Sequence, residues 1–324
     1  MDPRHLEQLC REFALGAVVG LEENTQGVLN KNYILTTSQG TYFLKSVRAK
    51  QQERISYIAE VEAFFRDRSI PAVCMETLPS GERFLKIEEA LYTVYPYIAN
   101  THIHAYTGGH MRAMGETLGS IHKAGASQVP AHLASSRFSI PAREAVTHEL
   151  VSRRESILNK RVLETIDEEF LSYIDLKLKR IDDCFEEPAL PSDTLVHGDY
   201  HDRNILFEGE SIVGVCDWEK ALMAPRAYEV ARALEIICFG EGQRMVRTEE
   251  EMRDSASMFM RAYNAVYALS SEELRKGVAL RLYKLIHSAW IERQHYDLGD
   301  SRSNKFIQNE MRLIASNGLL GRIE

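Results

Sequence analysis

Near Pro96 the chain changes character, and its fold has to accommodate two unlike parts. Before that point, short β-branched and aromatic runs dominate. Residues 32–37 and 41–47 flank Ser38-Gln39-Gly40, which is a hairpin signal, and residues 18–21 read as the strand before them. Residues 51–68 set Ile55, Ile58, Ala59, Glu60, Glu62, Phe65 and Arg66 at helical spacing, ending near Ser69-Ile70-Pro71. A second hairpin is expected around Pro79-Ser80-Gly81-Glu82, leading into residues 90–95. Beyond Pro96, residues 106–124, 140–187, 225–238, 249–268 and 272–297 read as helices, with a short β-rich island at 205–217. The expected fold is α+β in two lobes: residues 1–97, small and β-rich, and residues 98–324, larger and mainly helical. The apolar segment 92–98 joins them. Neither an internal repeat nor a low-complexity tract interrupts this pattern.

Composition narrows what such a chain does. Its 324 residues suffice for two lobes with a sizeable core, and 44% hydrophobic with 27% charged residues is ordinary for a soluble globular protein. No apolar run approaches the ~18–20 residues needed to cross a bilayer. The first residues are not followed by an apolar stretch with a cleavage site, so no secretory signal is expected. Five scattered cysteines, never in a Cys-x-x-Cys pair, fit a reducing cytoplasm better than a disulfide framework or a zinc site. A net charge of −8 offers no general attraction to nucleic acid or to an anionic membrane surface, and it is compatible with a cationic substrate. Oligomeric state is not legible.

The most informative stretch is Leu195-Val196-His197-Gly198-Asp199-Tyr200-His201-Asp202-Arg203-Asn204-Ile205-Leu206-Phe207. It is followed by Val213-Gly214-Val215-Cys216-Asp217-Trp218-Glu219. An apolar pair leads into His-Gly-Asp, an Asn follows the Asp by five residues, and a second apolar strand ends in Asp. Phosphoryl transfer needs this combination. One carboxylate orients or deprotonates an incoming hydroxyl, while a second carboxylate and an amide oxygen hold magnesium against nucleotide phosphates. Taken singly, His, Gly, Asp and Asn are common turn residues; the two apolar segments filling the interval from Asn204 to Asp217 argue against a plain surface turn.

The run His197-Gly198-Asp199-x-His201-x-x-Asn204, followed by Asp217-Trp218-Glu219, resembles the signature of aminoglycoside phosphotransferases, choline and ethanolamine kinases and homoserine-kinase-like enzymes. That resemblance implies a protein-kinase-like two-lobed fold, with ATP and Mg2+ as cofactors. It implies Asp199 as catalytic base, Asn204 and Asp217 as metal ligands, and His197 as a support for the loop. Lys45, late in the proposed third strand, resembles the family's phosphate-binding lysine. Its carboxylate partner is expected on the following helix, with Glu60 chosen, Glu62 its rival and Glu53 a further candidate. No Gly-x-Gly-x-x-Gly is present. The turn holding Gly27, Asn30 and Lys31 is similar to the Asn-rich phosphate loops of homoserine-kinase-like enzymes, and equally reads as an ordinary polar hairpin loop. In the family the segment joining the lobes contacts adenine, which makes Tyr95 and Tyr97 nucleotide neighbours. His122 reads as a buried structural residue.

A protein kinase needs a long segment after its metal-binding Asp on which to lay out a peptide. Here Pro225 follows Asp217 almost at once, which disfavours an atypical protein kinase and favours a hydroxyl-bearing small molecule. Candidate acceptors are an amino alcohol, a hydroxy amino acid, a sugar or an aminoglycoside. Candidate substrate contacts are His201, Glu219, Glu229 and Trp290, the last with His287 and Arg293 on one expected helix. Glu229 equally reads as a cap of its own helix, and His201 as loop packing. The competing reading is a nucleotide-binding pseudokinase or regulator on the same scaffold.

Overall fold

The structure is a computed structural model, and it describes residues 1–24, 31–48, 51–99, 103, 105–182, 189–240, 248–317 and 319. It is α+β, as expected. The chain opens with helix α1 (Pro3–Glu12), then strands β1 (Val18–Asn24), β2 (Lys31–Thr37) and β3 (Gly40–Arg48), helix α2 (Gln52–Arg66), and strands β4 (Leu85–Ile87) and β5 (Ala90–Pro96). Helices α3 (Gly108–Gly125), α4 (Arg143–Leu158) and α5 (Thr165–Asp182) precede the short strands β6 (Thr194–Val196), β7 (Ile205–Glu208), β8 (Ser211–Val215) and β9 (Leu222–Ala224). The remainder is helical: α6 (Arg226–Ala233), α7 (Glu249–Val266), α8 (Ser271–Ile286), α9 (Trp290–Tyr296) and α10 (Ile307–Ala315).

Strands β1 to β5 form one antiparallel sheet in the order β1-β2-β3-β5-β4. Its period-2 alternation decides which way each side chain faces. Tyr33 and Leu35 of β2, Leu44 of β3 and Val94 of β5 pack with Leu6, Leu9, Cys10 and Phe13 of the α1 segment in one core. Lys45, one residue after Leu44, therefore faces away from that core.

Several local expectations needed correction. Helix α1 precedes β1 where no element was expected: Asp2 caps it by accepting from the Arg4 N–H, and Pro3 occupies the first turn. The second hairpin turns at Glu88 and Glu89, with Glu88 at φ 53°, between β4 and β5. Residues 78–82 form a separate turn closed by Leu78 N–H donating to the Glu82 carbonyl at 2.8 Å. The single helices expected over 140–187 and 272–297 are each two. At the second break His287 leaves helical geometry (φ −90°, ψ 42°) as the C-cap of α8, and Trp290 begins a new helix. His287, Trp290 and Arg293 thus do not share one helix.

The chain divides into two compact units. One comprises Met1–Ser136, Leu195–Met223 and Gln243–Tyr267; the other comprises Arg137–Thr194, Ala224–Gly242 and Ala268–Glu324. Compactness groups α3, β7, β8 and α7 with the N-terminal sheet, along a different line from the expected lobes 1–97 and 98–324. Within the first unit α3 packs closely on α7: a Cβ at Gly115 would come within 2.2 Å of the Phe259 carbonyl oxygen. Within the second, α4, α5, α8, α9 and α10 enclose a core that includes Leu150, Phe170, Tyr173 and Ile286. Beside it Lys177 and Glu292 form a fully buried ion pair at 3.0 Å, and the Lys177 ammonium also donates to the Ser288 carbonyl at 2.6 Å.

Candidate active site

The loop from His197 to Asn204 runs from β6 to β7, and main-chain hydrogen bonds fasten it. The Asp199 N–H donates to His197 Nδ1 at 3.1 Å, so the imidazole proton sits on Nε2, which donates to the Cys216 carbonyl at 3.0 Å. The buried His197 ring thereby ties the loop to the end of β8, as a structural support would. Asn204 Nδ2 donates to the Asp199 carbonyl at 3.0 Å, and the Asn204 carbonyl accepts from the Cys216 N–H at 2.9 Å. Gly198 makes the turn at φ +80°, where a Cβ would lie 2.0 Å from the Lys220 carbonyl oxygen. No side chain fits there.

Asp217 follows β8 in a left-handed conformation (φ 66°, ψ 58°). Trp218 behind it is fully buried, stacks on Phe65 at 4.6 Å, and donates through Nε1 to the Val215 carbonyl. This anchor turns the carboxylates of Asp217 and Glu219 to a common side, and both accept from the Lys45 ammonium at 2.9 Å. Burial alone would depress the Lys45 ammonium, but the charges of Asp217 and Glu219 more than reverse this and raise its pKa above the ordinary lysine value.

The expected partnership of Lys45 with α2 takes another form. Glu60 lies on the exposed face of the helix and pairs with His132 at 2.6 Å. Glu62, two residues on, is buried and accepts from Met75 N–H at 2.9 Å and from the Tyr95 hydroxyl at 3.1 Å. Neither bonds Lys45; its partners are Asp217 and Glu219, the latter expected at the substrate. Burial pushes the Glu62 carboxyl up to about 8, against the lowering effect of its two hydrogen bonds and of Lys45. Tyr95 is buried with its hydroxyl on Glu62, 5.5 Å from the Lys45 ammonium to the ring centre. Tyr97 is half exposed, and its N–H donates to the Thr41 carbonyl. Gly27 and Asn30 lie outside the described residues.

Asp199 and Asn204 are both buried, and Asp199 Oδ1 is 3.7 Å from His201 Nε2. With its Nδ2 engaged by the loop, Asn204 keeps Oδ1 for a ligand. Asp217 and Asn204 thus present hard oxygen donors fixed to one frame, the chemistry that suits magnesium. Two contributors carry no motif signal. Lys220 donates to Asp199 Oδ2 at 2.8 Å, and Arg54 of α2 donates to the carbonyls of Glu219 and Ala221. A basic residue three positions after Asp217 was the only clue to the former, and nothing marked the latter. Glu229 and Trp290 belong to the other compact unit. Glu229 is buried on α6, and the Trp290 indole donates to Glu310 at 3.2 Å.

Among the described residues no helix is long and apolar enough to cross a membrane. The model of the phosphotransferase enzyme family matches residues 20–266. A homoserine kinase of Zymomonas mobilis subsp. mobilis is 24% identical over 292 residues, covering 85% of this chain and 82% of the relative. A homoserine kinase of Methylobacillus flagellatus is 24% identical over 269 residues, covering 83% and 77%. Among solved structures, the amicoumacin kinase hAmiN, in complex with AMP-PNP, Ca2+ and Ami, has a TM-score of 0.68 at 14% identity, covering 98% of this chain and 94% of that one. The spectinomycin phosphotransferase APH(9)-Ia, in complex with ADP and spectinomycin, has a TM-score of 0.66 at 16% identity, covering 98% and 97%. Matched across most of its length and carrying the family's motif on one fastened frame, the chain belongs to the phosphotransferase enzyme family, as a small-molecule kinase.

Proposed function

We propose that the chain transfers the γ-phosphoryl group of ATP to a hydroxyl of a small metabolite, and that it works in the cytoplasm. The observation that carries this reading is the fastening of Asp199, Asn204 and Asp217 through shared main-chain bonds, with Lys45 bonded to Asp217. Asp199 accepts the hydroxyl proton. Asn204 and Asp217 hold Mg2+, which when bound neutralises charge on the nucleotide phosphates. Lys45 moves from the two carboxylates to those phosphates. In this reading residues 1–97 bind the nucleotide, Gly27, Asn30, Tyr95 and Tyr97 belong to its surroundings, and residues 98–324 carry the acceptor and catalytic groups.

The acceptor class stands nearest a hydroxy amino acid, because the curated relatives are named homoserine kinases. His201 and Glu219 remain its proposed contacts. The test is nucleoside diphosphate release with ATP and Mg2+ over a panel of L-homoserine, ethanolamine, a hexose and spectinomycin. Asp199→Asn is expected to lower turnover by about 10²–10⁴-fold, the usual contribution of a positioned base. Unchanged turnover in that variant removes Asp199 from its role, and nucleotide binding without turnover of any acceptor by the wild type turns the reading to a pseudokinase.

A further inference from the structure

The chemistry proposed for Asp199 leaves its contact with Lys220 unexplained. The Lys220 side chain is 55% exposed, and an exposed ammonium on a carboxylate is ordinarily a solvated pair of little consequence. Its root, however, is clamped. The Arg54 guanidinium donates to the main-chain carbonyl of Glu219 and, at 3.2 Å, to that of Ala221. The carbonyl of Lys220 itself lies against Gly198, where a Cβ would approach within 2.0 Å. Two of three successive carbonyls are therefore held by one guanidinium, and the one between them lies against the loop that carries Asp199. The Lys220 side chain extends beyond them and ends at Asp199 Oδ2, 2.8 Å away. Oδ1 stands 3.7 Å from His201 Nε2.

We propose that Lys220 is a positioning residue for the reaction: its ammonium pins Oδ2 of Asp199 so that Oδ1 faces the acceptor hydroxyl. This rests on the reading of Asp199 as the base. In the step concerned, the acceptor oxygen bonds to the γ-phosphorus, the bond from that phosphorus to the departing nucleoside diphosphate breaks, and the hydroxyl proton passes to Oδ1. An adjacent ammonium weakens the carboxylate as a base. A loose phosphoryl-transfer transition state demands little basicity and close orientation, so the gain in orientation outweighs that loss.

The experiment compares Lys220→Ala, Lys220→Arg and Asp199→Asn with the wild type, using ATP, Mg2+ and either L-homoserine or water as acceptor. Lys220→Ala is expected to lower kcat about 30-fold, in line with the effect of a misplaced reacting group. Its KM for ATP stays within about threefold, because uniform nucleotide binding is untouched. Lys220→Arg restores most of the loss, and added ethylammonium restores part of it in Lys220→Ala where sodium at equal ionic strength does not. Wild-type kcat in Lys220→Ala overturns the inference, as does a loss that neither arginine nor ethylammonium repairs. If Asp199→Asn is inactive while Lys220→Ala is fully active, this inference alone falls; if Asp199→Asn keeps its turnover, the base assignment falls with it.

Discussion

Asp217 holds its left-handed backbone because both neighbours are pinned, Cys216 by its N–H to the Asn204 carbonyl and Trp218 by its buried ring. Such a geometry in a residue other than glycine persists only where the surroundings over-determine it. Residue identities at this end of the site were legible because the motif is local: His197, Asp199, Asn204 and Asp217 lie within one short stretch. The partner of Lys45 was not, because it comes from distant chain. Helix phase separates the two α2 carboxylates by burial but does not name the partner of Lys45. Glu62 falls at Ile55 + 7, Ile58 + 4 and Ala59 + 3, on the apolar stripe of α2, whereas Glu60 falls off it. The buried Glu62 also gives a pH test. Its folded pKa of about 8 exceeds the ordinary 4.5, so the folded chain keeps a proton that the unfolded chain releases as pH rises. Stability from this group is complete below about 4.5 and declines up to about pH 8. Glu62→Gln removes that decline. Its melting temperature relative to wild type is expected to be higher at pH 8 than at pH 5, with an advantage on the order of 2–4 kcal/mol at the higher pH. A constant difference across that range, measured by thermal denaturation, would count against the assignment.

At the scale of elements, the β2–β3 hairpin and helix α2 followed their sequence periods, whereas the second hairpin and the helix breaks followed contacts that the sequence does not display. The β2–β3 hairpin was legible because Ser38-Gln39-Gly40 sits between two clean strand runs. The break before Trp290 was not, because no proline or glycine marks it. Lys177 reaches across from α5 to Glu292 of α9 and to the Ser288 carbonyl in the linker between α8 and α9. Both charged groups are buried, so removing one strands the other. Lys177→Met is expected to destabilise the protein by about 3–5 kcal/mol in a denaturant titration, and the double change Lys177→Met with Glu292→Leu to recover much of that. An unaltered midpoint in the single variant would show that the pair holds nothing together.

On the scale of the whole molecule, each compact unit is assembled from three separated segments, so neither is a contiguous piece of chain. Composition predicted a chain large enough for two cores but could not predict this interleaving, which depends on pairings between residues far apart in sequence. The fragment 1–136 retains the sheet and α1 yet lacks Trp218, the stacking partner of Phe65, and both carboxylates that neutralise Lys45. It is expected to melt without a cooperative transition in circular dichroism; a sharp two-state melt would show the sheet to be autonomous. The same interleaving sets a timetable during synthesis. The Lys45 ammonium is made 172 residues ahead of the Asp217 carboxylate it will face. At ribosomal rates of about 5–20 residues per second, that is an interval of roughly ten to thirty seconds. Once residue 96 has been made, well before Asp217, the core between α1 and the sheet has all its residues available, while the reactive centre must wait for the ribosome and closes late.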